Sequence, residues 1–431
     1  MIRKFIMAAT LLLLTHVLPA QQTDMSGEII ASYLEEAKRA TKKSRHLWGT
    51  DLYGPLLLVD PDTRQAYANV SDSAGVLRLQ GEVYTGTLPA HISIANTSLR
   101  WGGKHWAMLM LPLPAGREDR LNLMGHELFH VAQAALGYKQ FNPSNDHLDQ
   151  KQGRIYLRLE LEALTKALQS PSRPIRKMHL ANALTFRKYR HALYPDAATA
   201  ENQLELNEGL AEYTGLIISN RPKAQAVAHL TGSIHAFLSN PTFVRSFAYQ
   251  TVPVYGYLLS GLDKDWNKST RVDTHLTDFF IAAFGLTLPA DLKNAALTVA
   301  EEYNAQTIIQ EETERDEERK RIMAAYKKVL VELPHLEIRF ENMRISFDPR
   351  NLMPLEDKGT VYPNITVTDK WGVLKVNKQA LMSPNWDRIS VTPPTSIEGS
   401  YVEGDGWTLE LSEGYSIQKD EQSGNFALRK H

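Results

Sequence analysis

The sequence predicts an α+β fold laid out in three consecutive blocks, and three observations carry that reading. Between residues 46 and 114, short apolar or alternating runs are separated by Gly, Pro, Asn and Asp, the pattern of short strands. From 116 to 332 apolar residues recur at three- and four-residue spacings, the pattern of amphipathic helices. After Pro334 the period changes back, and residues 336–431 again read as strands divided by turns.

The elements follow in order. A helix is expected over about 26–42, then strands at Leu56–Val59, Gly75–Leu79, His91–Ile94 and Trp106–Leu111. Glu118 and Asp119 place negative charge where a helix should begin, Leu121, Leu128, Val131, Ala132 and Ala135 give it apolar cover, and Gly137 supplies a stop. Two further helices are expected over Gly153–Gln169 and Ile175–Tyr194, then one around Leu206, Leu210, Tyr213 and Ile217, and a long one from about Asp291 to Val331. Ile365–Val367, Val373–Val376, Ile389–Val391, Trp407–Leu411 and Phe426–Leu428 read as strands of a small C-terminal β domain.

Charge and composition narrow the possible functions. Arg3 and Lys4, the apolar run Phe5–Leu14 and Leu18-Pro19-Ala20 read as a cleaved secretory signal peptide over residues 1–20, which implies a secreted or periplasmic protein. Its removal leaves 46 basic against 49 acidic side chains, a balance that argues against nucleic acid as a partner. No other stretch is apolar enough to insert stably in a membrane. With no cysteine, the chain has neither a disulfide framework nor a thiolate metal site.

The most specific signal is His126-Glu127-Leu128-Phe129-His130. Residues four apart stand one above the other on a helix, so both imidazoles can face one ion, with Glu127 beside it. Zn²⁺ takes neutral imidazole nitrogen and in catalytic sites keeps a position for water, for which the adjacent carboxylate is the natural base. A third ligand is then required downstream, and Asp149, Glu160, Glu162 and Glu208 are all candidates.

The stretch Asn207-Glu208-Gly209-Leu210-Ala211-Glu212-Tyr213 resembles the second zinc motif of gluzincin metallopeptidases, closest to the aminopeptidase N family. That resemblance covers chiefly residues 100–260. It implies a zincin-like catalytic domain in which His126, His130 and Glu208 hold Zn²⁺ and Glu127 is the general base of peptide hydrolysis. Glu212, one turn beyond Glu208, either accepts the outer N–H of a ligand histidine or is an exposed helix position. The same family places an oxyanion-binding tyrosine in a region similar to Tyr249-Gln250-Thr251-Val252-Pro253-Val254-Tyr255-Gly256-Tyr257; Tyr255 is the first choice there, with Tyr249 and Tyr257 as alternatives.

Two departures from the family stand out. Between His130 and Glu208 lie 77 residues, so 139–200 is an insertion expected at the rim of the site. The strand near Lys104–Leu111 stands where zincins place a substrate-binding sheet edge, yet residues 84–118 lack the G-x-M-E-N motif that anchors a free amino terminus in aminopeptidases. The expected product is therefore an exported zinc metallopeptidase with endopeptidase behaviour acting on peptides or proteins. Its parts are a strand-rich 21–115, a helical 116–333 and a β domain at 336–431. A binding protein with a structural metal, an inactive peptidase relative, and a zinc hydrolase of other substrates are the competing readings.

Overall fold

The computed structural model describes residues 27–141, 143–347 and 352–431, so the expected signal peptide lies outside the described residues. The chain is mixed α/β, with a strand-rich N-terminal part, a helical middle and a C-terminal β region. It divides into two compact units, one taking the chain up to Arg39 together with Gly54–Leu113, the other Ala40–Tyr53 and Pro114–His431.

In the first unit, helix α1 (Gly27–Lys43) buries Ile30, Leu34 and Ala37, spaced four and three apart on one face. Six strands form one sheet: β1 (Leu56–Val59), β2 (Gln65–Ala68), β3 (Arg78–Gln80), β4 (Val83–Thr87), β5 (Thr97–Trp101) and β6 (Lys104–Met110), in the order β3-β4-β2-β1-β6-β5. Leu57 lies opposite Met108 in the parallel β1–β6 pair, and Leu57, Val59, Ala66, Ala68, Trp106 and Met108 belong to one buried cluster. The expected strand at His91–Ile94 does not form. β2 and β4, whose alternation is short and interrupted by small residues, form instead.

The expectation of an edge at Lys104–Leu111 is corrected by this topology. β6 is bonded on both sides, in parallel to β1 and antiparallel to β5, so its backbone groups are already used. The edges are β5 and β3.

The second unit contains helices α2 (Arg117–Ala132), α3 (Lys151–Gln169), α4 (Arg173–Leu193), α5 (Ala197–Leu204), α6 (Leu210–Ser219), α7 (Lys223–Phe237), α8 (Ala248–Ser260), α9 (Leu276–Ala283), α10 (Leu292–Val299) and α11 (Ala305–Lys327). A π-helical turn, Glu205–Gly209, joins α5 to α6. The single long helix expected over 291–331 is broken: Asn304 adopts a left-handed backbone (φ 59°) between α10, a 3₁₀ turn at Ala300–Tyr303 and α11.

Residues 139–200, expected as an insertion at a rim, form the expected helices α3 and α4, but α3 is not a cover. Leu157, Leu161, Ala163 and Leu164 are fully buried in the same cluster as Leu210, Val252 and Phe280, which makes α3 a central element of the helical core. The C-terminal region adds two sheets. One runs from the hairpin Tyr415–Lys419/Phe426–Lys430 through Leu336–Arg339 to Met353–Pro354, the other from Pro394–Glu398 through Trp407–Leu411 and Gly372–Val376 to Arg344–Phe347. Ile338 and Ile389 of the first and Val367, Leu374 and Leu409 of the second share one buried cluster, the pattern of two packed sheets.

Candidate metal centre

The centre is built where α2 crosses α6, and glycine makes the crossing possible. A Cβ on Gly215 would stand 2.3 Å from the backbone oxygen of Asn122, and one on Gly125 would stand 3.1 Å from Gly215 Cα. Gly209, at the end of the π turn, is hemmed in likewise by Val252 of α8. Backbones this close let short side chains from three helices reach one point. The π turn offsets Glu208 from the regular α repeat, as such turns commonly do at functional sites.

His126 Nε2 and His130 Nε2 lie 3.0 Å apart, and Glu208 Oε2 is 3.4 and 3.3 Å from them. The three residues form a group that could hold a metal ion. Donors held roughly 2.0–2.1 Å from a tetrahedral zinc ion stand about 3.3–3.4 Å from one another, so the spacing fits.

Hydrogen bonds behind the ligands fix which nitrogens face inward. Gln133 Nε2 donates to the Asn207 carbonyl (2.9 Å), which leaves Gln133 Oε1 as an acceptor, so His130 Nδ1 must be the donor in their 2.8 Å contact. His126 Nδ1 likewise donates to Glu212 Oε2 at 2.9 Å. Both Nε2 atoms are thereby free to present lone pairs to the point that Glu208 Oε2 also faces. Three acceptors converging in a buried place call for a cation.

The surrounding field is negative and favours a cation here, which is a proton on His126 when no metal is bound and a metal ion when the imidazoles are neutral. Burial opposes charge on His126, but its contacts with Glu208 and Glu212 outweigh that and push its pKa up to about 10. Burial acts against the Glu208 carboxylate too, yet the two imidazoles hold it well below the usual carboxylate range. Glu212 is lowered in the same manner, with Asn122 Nδ2 donating to its Oε1 at 2.7 Å. Arg221 then donates to Asn122 Oδ1 at 3.2 Å and pairs with Asp119.

Glu127 is 4% exposed, and its Oε2 is buried with no hydrogen-bond partner among the described residues. Burial raises its pKa, His126 and His130 pull it down, and Glu208 and Glu212 push it up again; the net shift is upward. Its basicity is thus raised, and with no donor on Oε2 the carboxylate is suited to take a proton.

Tyr255, the first-choice tyrosine, is elsewhere. It is fully buried, its hydroxyl donates to Glu160 Oε1 at 2.9 Å, its ring stacks on Phe280, and the Arg187 guanidinium lies over the ring, 4.8 Å from its centre. One turn and a half earlier on α8, Tyr249 faces the centre instead: its hydroxyl donates to Glu208 Oε2 at 2.5 Å and its ring stacks on His126 with an interplanar angle of 10°. Burial, reinforced by Glu208, raises the Tyr249 pKa, so the phenol keeps its proton. Tyr257 donates to the Lys223 carbonyl at the surface.

The other third-ligand candidates are also accounted for. Glu160 is bound by Arg187 and Arg190, Glu162 accepts from Asn304 at the surface, and Asp149 is buried in a 3₁₀ turn (Asp146–Asp149). Gln133 and Asn122 were not singled out by motif. They do lie on one stripe of α2 with the ligands, Asn122-His126-His130-Gln133 at spacings of four, four and three, a signal that helical periodicity contains. Comparison with protein-family models, curated proteins and solved structures finds no match to the chain.

Proposed function

We propose that the protein is a zinc-dependent metallopeptidase of gluzincin type, with a zincin-like catalytic part, acting on peptides or proteins outside the cytoplasm. The observation that supports this most is the pairing of a three-donor cluster at tetrahedral spacing with the adjacent Glu127, whose Oε2 is buried without a partner among the described residues. A structural metal site needs donors but no base, so Glu127 favours hydrolysis over a scaffold.

His126, His130 and Glu208 would hold the ion. Zinc, when bound, supplies Lewis acidity that polarises a carbonyl and acidifies water. Glu127 takes the proton of the attacking water and returns it to the leaving amine. The Tyr249 phenol donates to the carbonyl oxygen as it becomes tetrahedral, the role assigned by sequence to Tyr255. Glu212 and Gln133 hold the imidazoles in their inward-facing tautomers.

The test is digestion of a mixed peptide library, half of it N-acetylated, with and without a zinc chelator. Chelator-sensitive cleavage of free and acetylated peptides alike is expected. No cleavage of any peptide under conditions where zinc is bound would refute the peptidase reading.

A further inference from the structure

Away from the metal centre, the first turn of α4 is electrostatically inverted. The positive end of a helix dipole favours acidic side chains, yet α4 has no acid in its first turn and instead carries Arg173, Arg176 and Lys177. These lie with Leu180 on one helical face, at spacings of three, one and three, and all four line a cavity of about 310 Å³. The opposite wall is apolar, with Leu258 and Phe284.

The positive charge there is not answered by the protein. Among the described residues, the side chains of Arg173 and Lys177 make no hydrogen bond or ion pair, and none of the three cations has an acidic partner. Arg176 Nη2 donates to the Ser170 carbonyl at 2.6 Å, which fixes the guanidinium, while its Nε is sealed from solvent with no acceptor. Neighbouring cations at the positive end of a helix dipole cost stability. Such local conflicts are expected where a ligand completes the structure.

We propose that this cavity binds a small amphiphilic anion, a carboxylate or phosphate head carried on an apolar tail. Arg173 and Lys177, with the positive charge of the fixed Arg176 beside them, would take the head, and Leu180, Leu258 and Phe284 would cover the tail. The volume is at the small end of the roughly 300–1,000 Å³ of small-molecule sites, which suits a short tail.

Isothermal titration of the full chain tests this with octanoate, octyl phosphate, acetate, inorganic phosphate and octanol. One octyl anion per chain should bind saturably, whichever head it carries showing which is preferred. Acetate, inorganic phosphate and octanol should each bind at least about tenfold more weakly, since each lacks the head or the tail. Arg176→Gln and Lys177→Gln should each weaken the octyl anion by about tenfold or more. Lys177 is exposed and makes no contact needed for folding, so its effect cannot come from unfolding. Equal binding of octanol, equal binding of inorganic phosphate, or unchanged affinity in both variants would overturn the proposal.

Discussion

Two of the buried polar clusters in the helical unit, one around Glu160 and one around His126, are completed in different ways. Around Glu160, Glu201 and Glu205, every carboxylate oxygen accepts a hydrogen bond. Arg187 and Tyr255 serve Glu160 Oε1, Arg190 serves Glu160 Oε2, Arg187 and Thr251 serve Glu205, and Arg190, His147 and His191 serve Glu201. Around His126, His130 and Glu208, Tyr249 and Asn207 each serve one oxygen of Glu208, but the two imidazole Nε2 atoms face one another across 3.0 Å and Glu127 Oε2 has no partner among the described residues. Burying charge is costly in both places. The first cluster offsets that cost wholly with its own side chains, and the second does so only in part. The second leaves the two imidazole nitrogens and Glu127 Oε2 open to a group from outside, which is why it is the candidate site.

The largest expected effect breaks the site without breaking the fold. Glu127→Gln keeps size and removes proton acceptance, so peptide hydrolysis should fall by roughly 10²–10⁴-fold while bound zinc and thermal stability stay unchanged. Steady-state rates with metal analysis check this. Next, Arg187→Met should do the reverse. Leaving Glu160 and Glu205 buried without their shared guanidinium should destabilise the protein by about 3–5 kcal/mol in urea melts, whether or not a chelator is present. A loss seen only with metal bound would mean the two clusters are not separate.

The two tyrosines sharpen the same contrast. Tyr249→Phe should lower kcat by roughly 10²–10³-fold, the usual cost of an oxyanion donor, with little change in stability. Tyr255→Phe should leave kcat within a few-fold and cost about 1–2 kcal/mol through the lost bond to Glu160. An effect of similar size is expected from Gln133→Leu, which frees the His130 tautomer and should weaken zinc by about 10–100-fold in competition titrations.

These residues also show what the sequence could and could not convey. The block order of the fold was legible because periodicity is local, and so were His126, Glu127 and His130, which sit on one helix. Choosing Tyr255 failed for a physical reason: Tyr249 and Tyr255 lie six residues apart on α8 and project in different directions, a fact that depends on how the helix is rotated against its neighbours. The edge assigned to Lys104–Leu111 failed similarly, since pairing partners are non-local and β1 lies almost fifty residues upstream. Asn304 broke a helix whose composition favours continuity, because a single left-handed residue overrides propensity.

Metal content decides the central claim most directly. Full-length protein purified without chelator and dialysed against trace zinc should carry about one zinc per chain, the stoichiometry of a single two-histidine, one-carboxylate site. Glu208→Gln should lose that zinc while Glu162→Gln, whose carboxylate lies at the surface, keeps it. Full zinc occupancy in folded Glu208→Gln would contradict the account.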